Sequence, residues 1–333
     1  MERHVFILDS ALVPHGGDAR IESDVLRGHA EVHELRLTSD AELTGEPCEI
    51  ADAIIIWHEL QLTYAALERL RKTRVIVRNG VGYDNVDIRG AAALGIAVAN
   101  VPDYGTEEVA DHTIALTLAL LRRLRPLFED VARGAWNWQT AAACRRLRGQ
   151  VFGIVGCGRI GTAAALRAKA LGFDVRFYDP YVPSGYEKAI GVRREESLNA
   201  LITEADVLSL HLPLTDETRF LIDIPQLRAM KPTAVVVNTA RGAVIRHAAI
   251  DRALGESWIA GAALDVLENE PEGLDLFARH PNCLVTPHSA FYSQESMEDL
   301  RRLSAVVVRE ALEGRLLNVV NGVTKPAAMA EKR

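Results

Sequence analysis

The sequence predicts an α/β protein made of two doubly wound parallel-sheet domains, one inserted into the other, and three observations carry that expectation. Short β-branched or apolar runs alternate with helix-like stretches along most of the chain, the pattern left by parallel strands joined through crossover helices. One run, Val151 to Val155, enters the turn Gly156-Cys157-Gly158-Arg159-Ile160-Gly161 and an Ala- and Leu-rich helix behind it. The rhythm breaks at Asn100-Val101-Pro102, a candidate crossing between domains, and then resumes. A chain of 333 residues also exceeds what one small core needs and suits about two domains.

In order, Val5 to Leu8, Glu31 to Leu35, Ala53 to Ile56 and Arg74 to Val77 read as strands, and Asp18 to Leu26 and Tyr64 to Lys72 as helices. Val86 to Leu94, a helix, and Ile96 to Ala99, a strand, close this first small α/β unit. Glu107 to Leu124 then reads as one long helix. Its residues Ile114, Leu116, Leu118, Leu120 and Leu121 cover too much of the circumference for a helix with a solvated face. Arg125 to Arg148, with Trp136 and Trp138, shows no clear period. Such a stretch either wraps a second copy, making a homodimer or tetramer, or is a surface excursion whose indoles fill local hollows. Six strands follow, at Val151 to Val155, Val175 to Tyr178, Val207 to Leu210, Ala234 to Val237, Ala260 to Leu264 and Leu284 to Val285. A last helix, Ser293 to Glu313, is too long for a loop of that unit and is expected to return to the first domain.

Composition narrows the function. A hydrophobic fraction of 48%, a charged fraction of 25% and a net charge of −7 are ordinary for a globular enzyme. The basic residues form no stripe, which excludes an electrostatic footprint for nucleic acid. Cys48, Cys144, Cys157 and Cys283 stand alone, with no His cluster at metal-ligand spacing, so neither a metal site nor a disulfide framework is indicated. The short apolar run after His4 stops at Asp9, and no later segment is long enough to span a bilayer. A cytoplasmic protein with no membrane partner is expected.

The glycine turn has the G-x-G-x-x-G spacing of a dinucleotide-binding loop. Gly156 permits the tight turn, Gly158 lets the backbone approach a pyrophosphate, and Gly161 lets the helix sit on the strand with its N–H groups facing the phosphates. Asp179, at the end of the next strand, is placed to accept hydrogen bonds from ribose hydroxyls. It would repel a 2′-phosphate, and Pro180-Tyr181 supplies no cation to hold one. NAD is favoured over NADP.

Three further groups lie just beyond strand ends, where ligands bind in open α/β sheets: Arg241 in Asn238-Thr239-Ala240-Arg241-Gly242, Glu270 before Pro271, and His288 in Thr286-Pro287-His288. Hydride addition to a carbonyl leaves an alkoxide that needs a proton, and a histidine can donate it. A carboxylate beside that ring would favour the imidazolium and orient it. An arginine fork can grip a substrate carboxylate. Taken singly, each has an ordinary reading as a surface charge, a loop acid or a structural histidine; together they point to chemistry.

In their order and spacing, the glycine turn with Asp179, the Arg241 segment, Asp265 to Pro271 and Thr286-Pro287-His288 resemble the D-2-hydroxyacid dehydrogenase family over nearly the full length. That resemblance implies a Rossmann NAD-binding domain over residues 100–292 inserted into a discontinuous flavodoxin-like substrate domain over 1–99 and 293–333. It implies Arg241 as the substrate clamp, Glu270 as the histidine's partner and His288 as the acid–base. For the cofactor it implies Val81, Gly156, Gly158, Arg159, Ile160, Gly161, Asp179, Leu212, Thr239, Ala240, Arg241, Asp265 and His288. The family's substrate loop matches Arg78-Asn79-Gly80-Val81-Gly82-Tyr83-Asp84-Asn85-Val86-Asp87, where the amides of Gly80, Val81 and Gly82 would take a 2-oxo acid carboxylate.

Within the family the sequence is most like the C-terminal-binding proteins, NAD-dependent corepressors, on Tyr83-Asp84-Asn85-Val86-Asp87, Leu166-Arg167-Ala168-Lys169-Ala170 and Phe177-Tyr178-Asp179-Pro180-Tyr181. That likeness makes Arg78 a second cation at the substrate and places His58 near the same cleft. Phe291 stands where those proteins carry a Trp, keeping an aromatic wall but losing an indole donor. The expectation is an NAD-dependent enzyme interconverting a 2-oxo acid and a D-2-hydroxy acid, its substrate held between domains that close about Val101-Pro102. The alternative is an NAD(H)-sensing, corepressor-like binding protein with little turnover.

Overall fold

The computed structural model describes residues 3–12, 14 and 18–325. The chain divides into two compact units, residues 1–105 with 293–333 and residues 106–292. The first division falls after Gly105, where the sequence reading set it at residue 99. Residues 1–2 and the tail from 326, which that reading gave to the first domain, lie outside the described residues.

In the first unit, β1 (His4–Ser10), β2 (Glu31–Leu37), β3 (Ala51–Ile56), β4 (Val75–Arg78) and β5 (Ala97–Ala99) form a parallel sheet in the order β2-β1-β3-β4-β5. This is the flavodoxin-like order. Alternate residues serve opposite faces: Phe6, Leu8, Ile54, Ile56 and Ile76 enter one core, and Val5, Ile7, Ala53, Ile55, Val75 and Val77 the other. A strand covered on both faces needs no polar residues on either, which is why the middle strand β3 ends in three isoleucines, each 0% exposed. The edge strand β2 mixes exposed and half-buried positions instead, with only Leu37 buried.

The final helix, Gln294–Leu312, belongs to this unit and packs on the helix Arg20–Leu26 and on the β3 and β4 face. Ser293 caps it reciprocally with Ser296. Arg301 grips buried Glu22 with two bonds, 2.7 Å from Nε and 2.6 Å from Nη2. The expected helix from Tyr64 is shorter, Tyr64–Leu67, and Glu46–Ile50 forms a short helix that no period announced.

The second unit holds β6 (Val151–Val155), β7 (Asp174–Tyr178), β8 (Arg193–Arg194), β9 (Val207–Leu210), β10 (Val235–Asn238), β11 (Gly261–Leu264) and β12 (Cys283–Val285). They pair in parallel in the order β8-β7-β6-β9-β10-β11-β12, the Rossmann order with one strand added at the far edge. The direction of winding reverses between β6 and β9, and the glycine turn leaves β6 at that reversal. The strand not expected is β8. It has two residues, both arginine, too few for any hydrophobic alternation.

The helix from 106 also differs from expectation. It ends at Leu121, Arg123 takes a left-handed backbone with φ of 53°, and a second helix runs Leu124–Ala132, all but its first residue inside the stretch read as aperiodic. Leu124, Leu127, Phe128 and Val131 do recur at helical spacing, but none is buried within the chain. Thr106–Leu121 itself is a core helix of this unit, contributing Ala110 and Leu116 to the cluster beneath β6 and β10.

Candidate active site

Steric demand shapes the glycine turn. A Cβ on Gly156, whose φ is 89°, would lie 2.7 Å from His211 O and 2.8 Å from Leu212 Cδ2. One on Gly161 would lie 2.0 Å from Gly156 O, so the helix Arg159–Ala170 can approach β6 only through glycine. A Cβ on Gly158, at the helix N-cap, would meet no protein atom within 4 Å. Nothing in the protein demands glycine there. An open backbone at a helix N-terminus is what a pyrophosphate requires, and the turn fits a dinucleotide. Leu212 sits beside the same turn.

Asp179 follows β7 directly, with its carboxylate turned to this loop, accepting N–H bonds from Cys157 (2.8 Å), Tyr181 (2.8 Å) and Val182 (3.3 Å). A cation does stand nearby, and sequence reasoning missed it because it comes from β8. Arg194 donates to the carbonyls of Asp179, Val182 and Pro183, lies over the Phe177 ring and pairs with Glu187. Burial pushes the Cys157 thiol up to about 11, so it stays protonated and packs as an apolar group.

At the C-terminal ends of β10, β11 and β12 the structure gathers the second group. His288 Nδ1 lies 2.7 Å from Glu270 Oε2. The other carboxylate oxygen, Oε1, accepts the Leu267 N–H at 3.0 Å. The acid is thus anchored by its own loop while it orients the ring. Phe291 meets the imidazole edge to face, with centroids 6.1 Å apart.

His288 has a φ of 50°, a left-handed backbone that costs a non-glycine residue about 1 kcal/mol. Asp265, 2% exposed at the end of β11, holds the turn in that shape. Its carbonyl accepts the His288 N–H at 2.8 Å, and its carboxylate accepts Thr286 Oγ1 (2.6 Å), Ser289 N (3.0 Å) and Ala290 N (3.0 Å). His112 adds a bond of 3.1 Å to Thr286 Oγ1. The resemblance assigned Asp265 to the cofactor; the contacts give it a positioning part as well, and His112 was missed because it lies far away in sequence.

Arg241 follows β10 in a loop set by short-range bonds. Asn238 Nδ2 donates to Arg241 O at 2.9 Å, Ala240 N to Asn238 Oδ1 at 3.0 Å, and Arg241 Nη1 to Ala240 O at 2.8 Å. Thr239 Oγ1 is bonded to Thr113 Oγ1 at 2.8 Å, which ties the loop to the helix Thr106–Leu121. A Cβ on Gly242 would come within 1.9 Å of Leu267 C and O and 2.5 Å of Glu268 N. The Arg241 loop therefore lies backbone to backbone against the one that carries Glu270. His247 pins that second loop: Glu268 N–H donates to its Nε2 at 2.7 Å, and its own N–H donates to Glu268 Oε2 at 3.1 Å. Burial pushes the His247 pKa down, which keeps Nε2 an acceptor.

His58, Arg78, Gly80, Val81 and Gly82 belong to the first unit. Arg78, 6% exposed, donates to Asn79 O at 3.0 Å and lies over Gly80, where a Cβ would collide with its Nη1 at 1.6 Å. Gly80 is extended beyond what side chains adopt, with φ of 143°. Val81 O accepts Asn100 Nδ2 at 2.6 Å, and His58 Nε2 lies 2.9 Å from Glu59 Oε1.

The profile of the D-isomer specific 2-hydroxyacid dehydrogenase, NAD binding domain, matches residues 114–290, more than half of the chain. The chain belongs to the D-isomer specific 2-hydroxyacid dehydrogenase family. As a member of it, the chain has NAD as its cofactor, and the loop Gly156–Gly161 with Asp179 has the form to receive it. Among curated relatives it is 35% identical over 329 residues to C-terminal-binding protein 1 of Caenorhabditis elegans, covering 94% of this chain and 45% of that protein. The chain spans about half the length of the curated relatives it matches. Among solved structures, a glyoxylate reductase from Paecilomyes thermophila superposes with a TM-score of 0.86 at 29% identity, covering 96% of this family member and 99% of that chain. A D-lactate dehydrogenase from Aquifex aeolicus, solved with NAD and lactic acid, gives 0.84 at 29% identity, covering 93% and 96%.

Proposed function

We propose that the chain is an NAD-dependent oxidoreductase that interconverts a 2-oxo acid and its D-2-hydroxy acid, with His288 as general acid–base. The observation that carries this reading is the 2.7 Å contact between His288 Nδ1 and Glu270 Oε2 beyond the strand ends of a dinucleotide-type sheet. NAD bound at the glycine turn supplies the hydride acceptor or donor. The protein's own groups supply the rest. With Nδ1–H committed to Glu270, Nε2 is the nitrogen that gives a proton to the substrate oxygen during reduction and takes it back during oxidation. Glu270 stabilises the imidazolium between those events. Arg241 holds the substrate carboxylate with its planar fork. The same reading assigns Arg78 and the amides of Gly80, Val81 and Gly82 to that carboxylate, and His58 and Phe291 to the substrate's surroundings. Leu212, Thr239, Ala240 and Asp265 are assigned to the cofactor.

The purified protein is expected to oxidise NADH in the presence of at least one acid from a panel of glyoxylate, pyruvate, hydroxypyruvate and longer apolar 2-oxo acids. Bound NADH with no turnover across that panel would sink the proposal.

A homodimer is part of the same reading. Trp136, Trp138, Phe128 and Val131 are 93%, 78%, 71% and 56% exposed. Four large apolar side chains exposed within residues 128–138 support a surface covered by another copy. Light scattering of the 36.5 kDa chain should give twice that mass; a monomer at micromolar concentration would remove the inference.

A further inference from the structure

The edge of the first sheet holds a cluster that the oxidoreductase reading does not use. Parallel pairing sets His4 opposite Glu31 and Phe6 opposite His33. Alternate residues of a strand share a face, so His4, Glu31 and His33 converge at the N-terminal ends of β1 and β2. His4 Nδ1 lies 3.1 Å from His33 Nε2, and Glu31 Oε2 lies 3.7 Å from the first and 3.9 Å from the second. Phe6, 5% exposed, stacks on the His33 ring with centroids 4.6 Å apart and holds it in place.

Two ring nitrogens at 3.1 Å need something between them, either a shared proton or a cation. Bonds of about 2.0–2.1 Å to a tetrahedral zinc ion place its ligand atoms roughly 3.4 Å apart. The three spacings bracket that edge. Two imidazoles and one carboxylate form a donor set that suits first-row transition ions and is too nitrogen-rich for magnesium or calcium. Side-chain exposures of 18% for His4, 30% for His33 and 54% for Glu31 leave all three ligands in contact with solvent, which can supply water as a fourth ligand.

We propose that His4, Glu31 and His33 form a binding site for one divalent transition-metal ion, of the Zn²⁺ class, that clips the edge strand β2 to β1. The sequence hides this site because the ligands lie on two strands, with His4 and His33 29 positions apart, and only the register of β1 against β2 unites them.

The test uses the full chain, purified without a polyhistidine tag and stripped with a chelator. Titration with Zn²⁺ alone should show one ion per chain and raise the melting temperature, and Co²⁺ should give the visible bands of a nitrogen-ligated, four-coordinate ion. His33→Ala and His4→Ala should each weaken binding on the order of 100-fold, the upper end of what the loss of an outer-shell partner costs. Glu31→Gln, an exposed change that the edge strand tolerates, should lower affinity while leaving the circular dichroism spectrum unaltered. No Zn²⁺ uptake at micromolar concentration, or uptake unchanged in the His4→Ala/His33→Ala double variant, would overturn the proposal and leave a shared proton as the reason for the contact.

Discussion

Replacing His288 by alanine is expected to lower kcat for 2-oxo acid reduction by about 10²–10⁴-fold, the range supplied by a positioned proton donor, with NADH affinity nearly unchanged. The basis is geometric. The ring sits on a left-handed residue that Asp265 holds through four bonds to the turn, and it meets Glu270 at 2.7 Å. Glu270→Gln keeps the size and the hydrogen-bonding reach but removes the negative charge to which the proposed function gives the stabilising of an imidazolium. Its effect should be smaller than that of His288→Ala and of the same kind. The double variant should be little worse than His288→Ala alone, as the proposed function has the two residues act as a unit. Steady-state rates combined with NADH fluorescence titration check this. If His288→Ala turned over like the wild type, or if the two losses multiplied independently, the assignment of the pair would be wrong.

Gly242→Ala should be nearly as damaging although the residue carries no chemistry. A methyl group there would stand 1.9 Å from Leu267 C and O. Those are backbone atoms and cannot rotate away, so the loops bearing Arg241 and Glu270 must part. Overpacking of this kind costs about 1–3 kcal/mol of stability. Misplacement of reacting groups by about 1 Å costs on the order of 100-fold in rate. Denaturant melts and kcat/KM should therefore fall together. Gly158→Ala supplies the contrast, since its Cβ would meet nothing within 4 Å. That variant should keep its melting temperature and lose NADH affinity. A Gly242→Ala protein with normal stability and normal kcat/KM would show that the close approach of the two loops does not matter.

Much of the fold was legible because the signals are short-range. Alternation of apolar runs with helical stretches marks parallel sheets, and the triple isoleucine of β3 marks a strand covered on both faces. The glycine turn was legible from its spacing over six consecutive residues; the steric demand on Gly161 comes from Gly156 in the same turn, while that on Gly156 comes from His211 and Leu212, just past β9. Elements without such a signature escaped. The edge strand β8 has only two arginines, and the helix Leu124–Ala132 carries its apolar period over only nine residues, the first of them read as the end of the preceding helix.

By itself the sequence determined that the chain winds two parallel sheets, that a dinucleotide turn with its acid follows β6, and that an arginine, a glutamate and a histidine fall beyond strand ends. Each of these is written in the order of residues along a few turns of backbone, where periodicity and steric fit act. Only the tertiary structure decided that Glu270 reaches the ring of His288, that Asp265 and His112 brace the histidine's turn, that Arg194 stands beside Asp179, and that His4, Glu31 and His33 share one point on the edge of a sheet. Those contacts depend on strand order and register across tens to hundreds of residues. A shift of one position in register would turn the same side chains to the opposite face, and no local pattern encodes that choice.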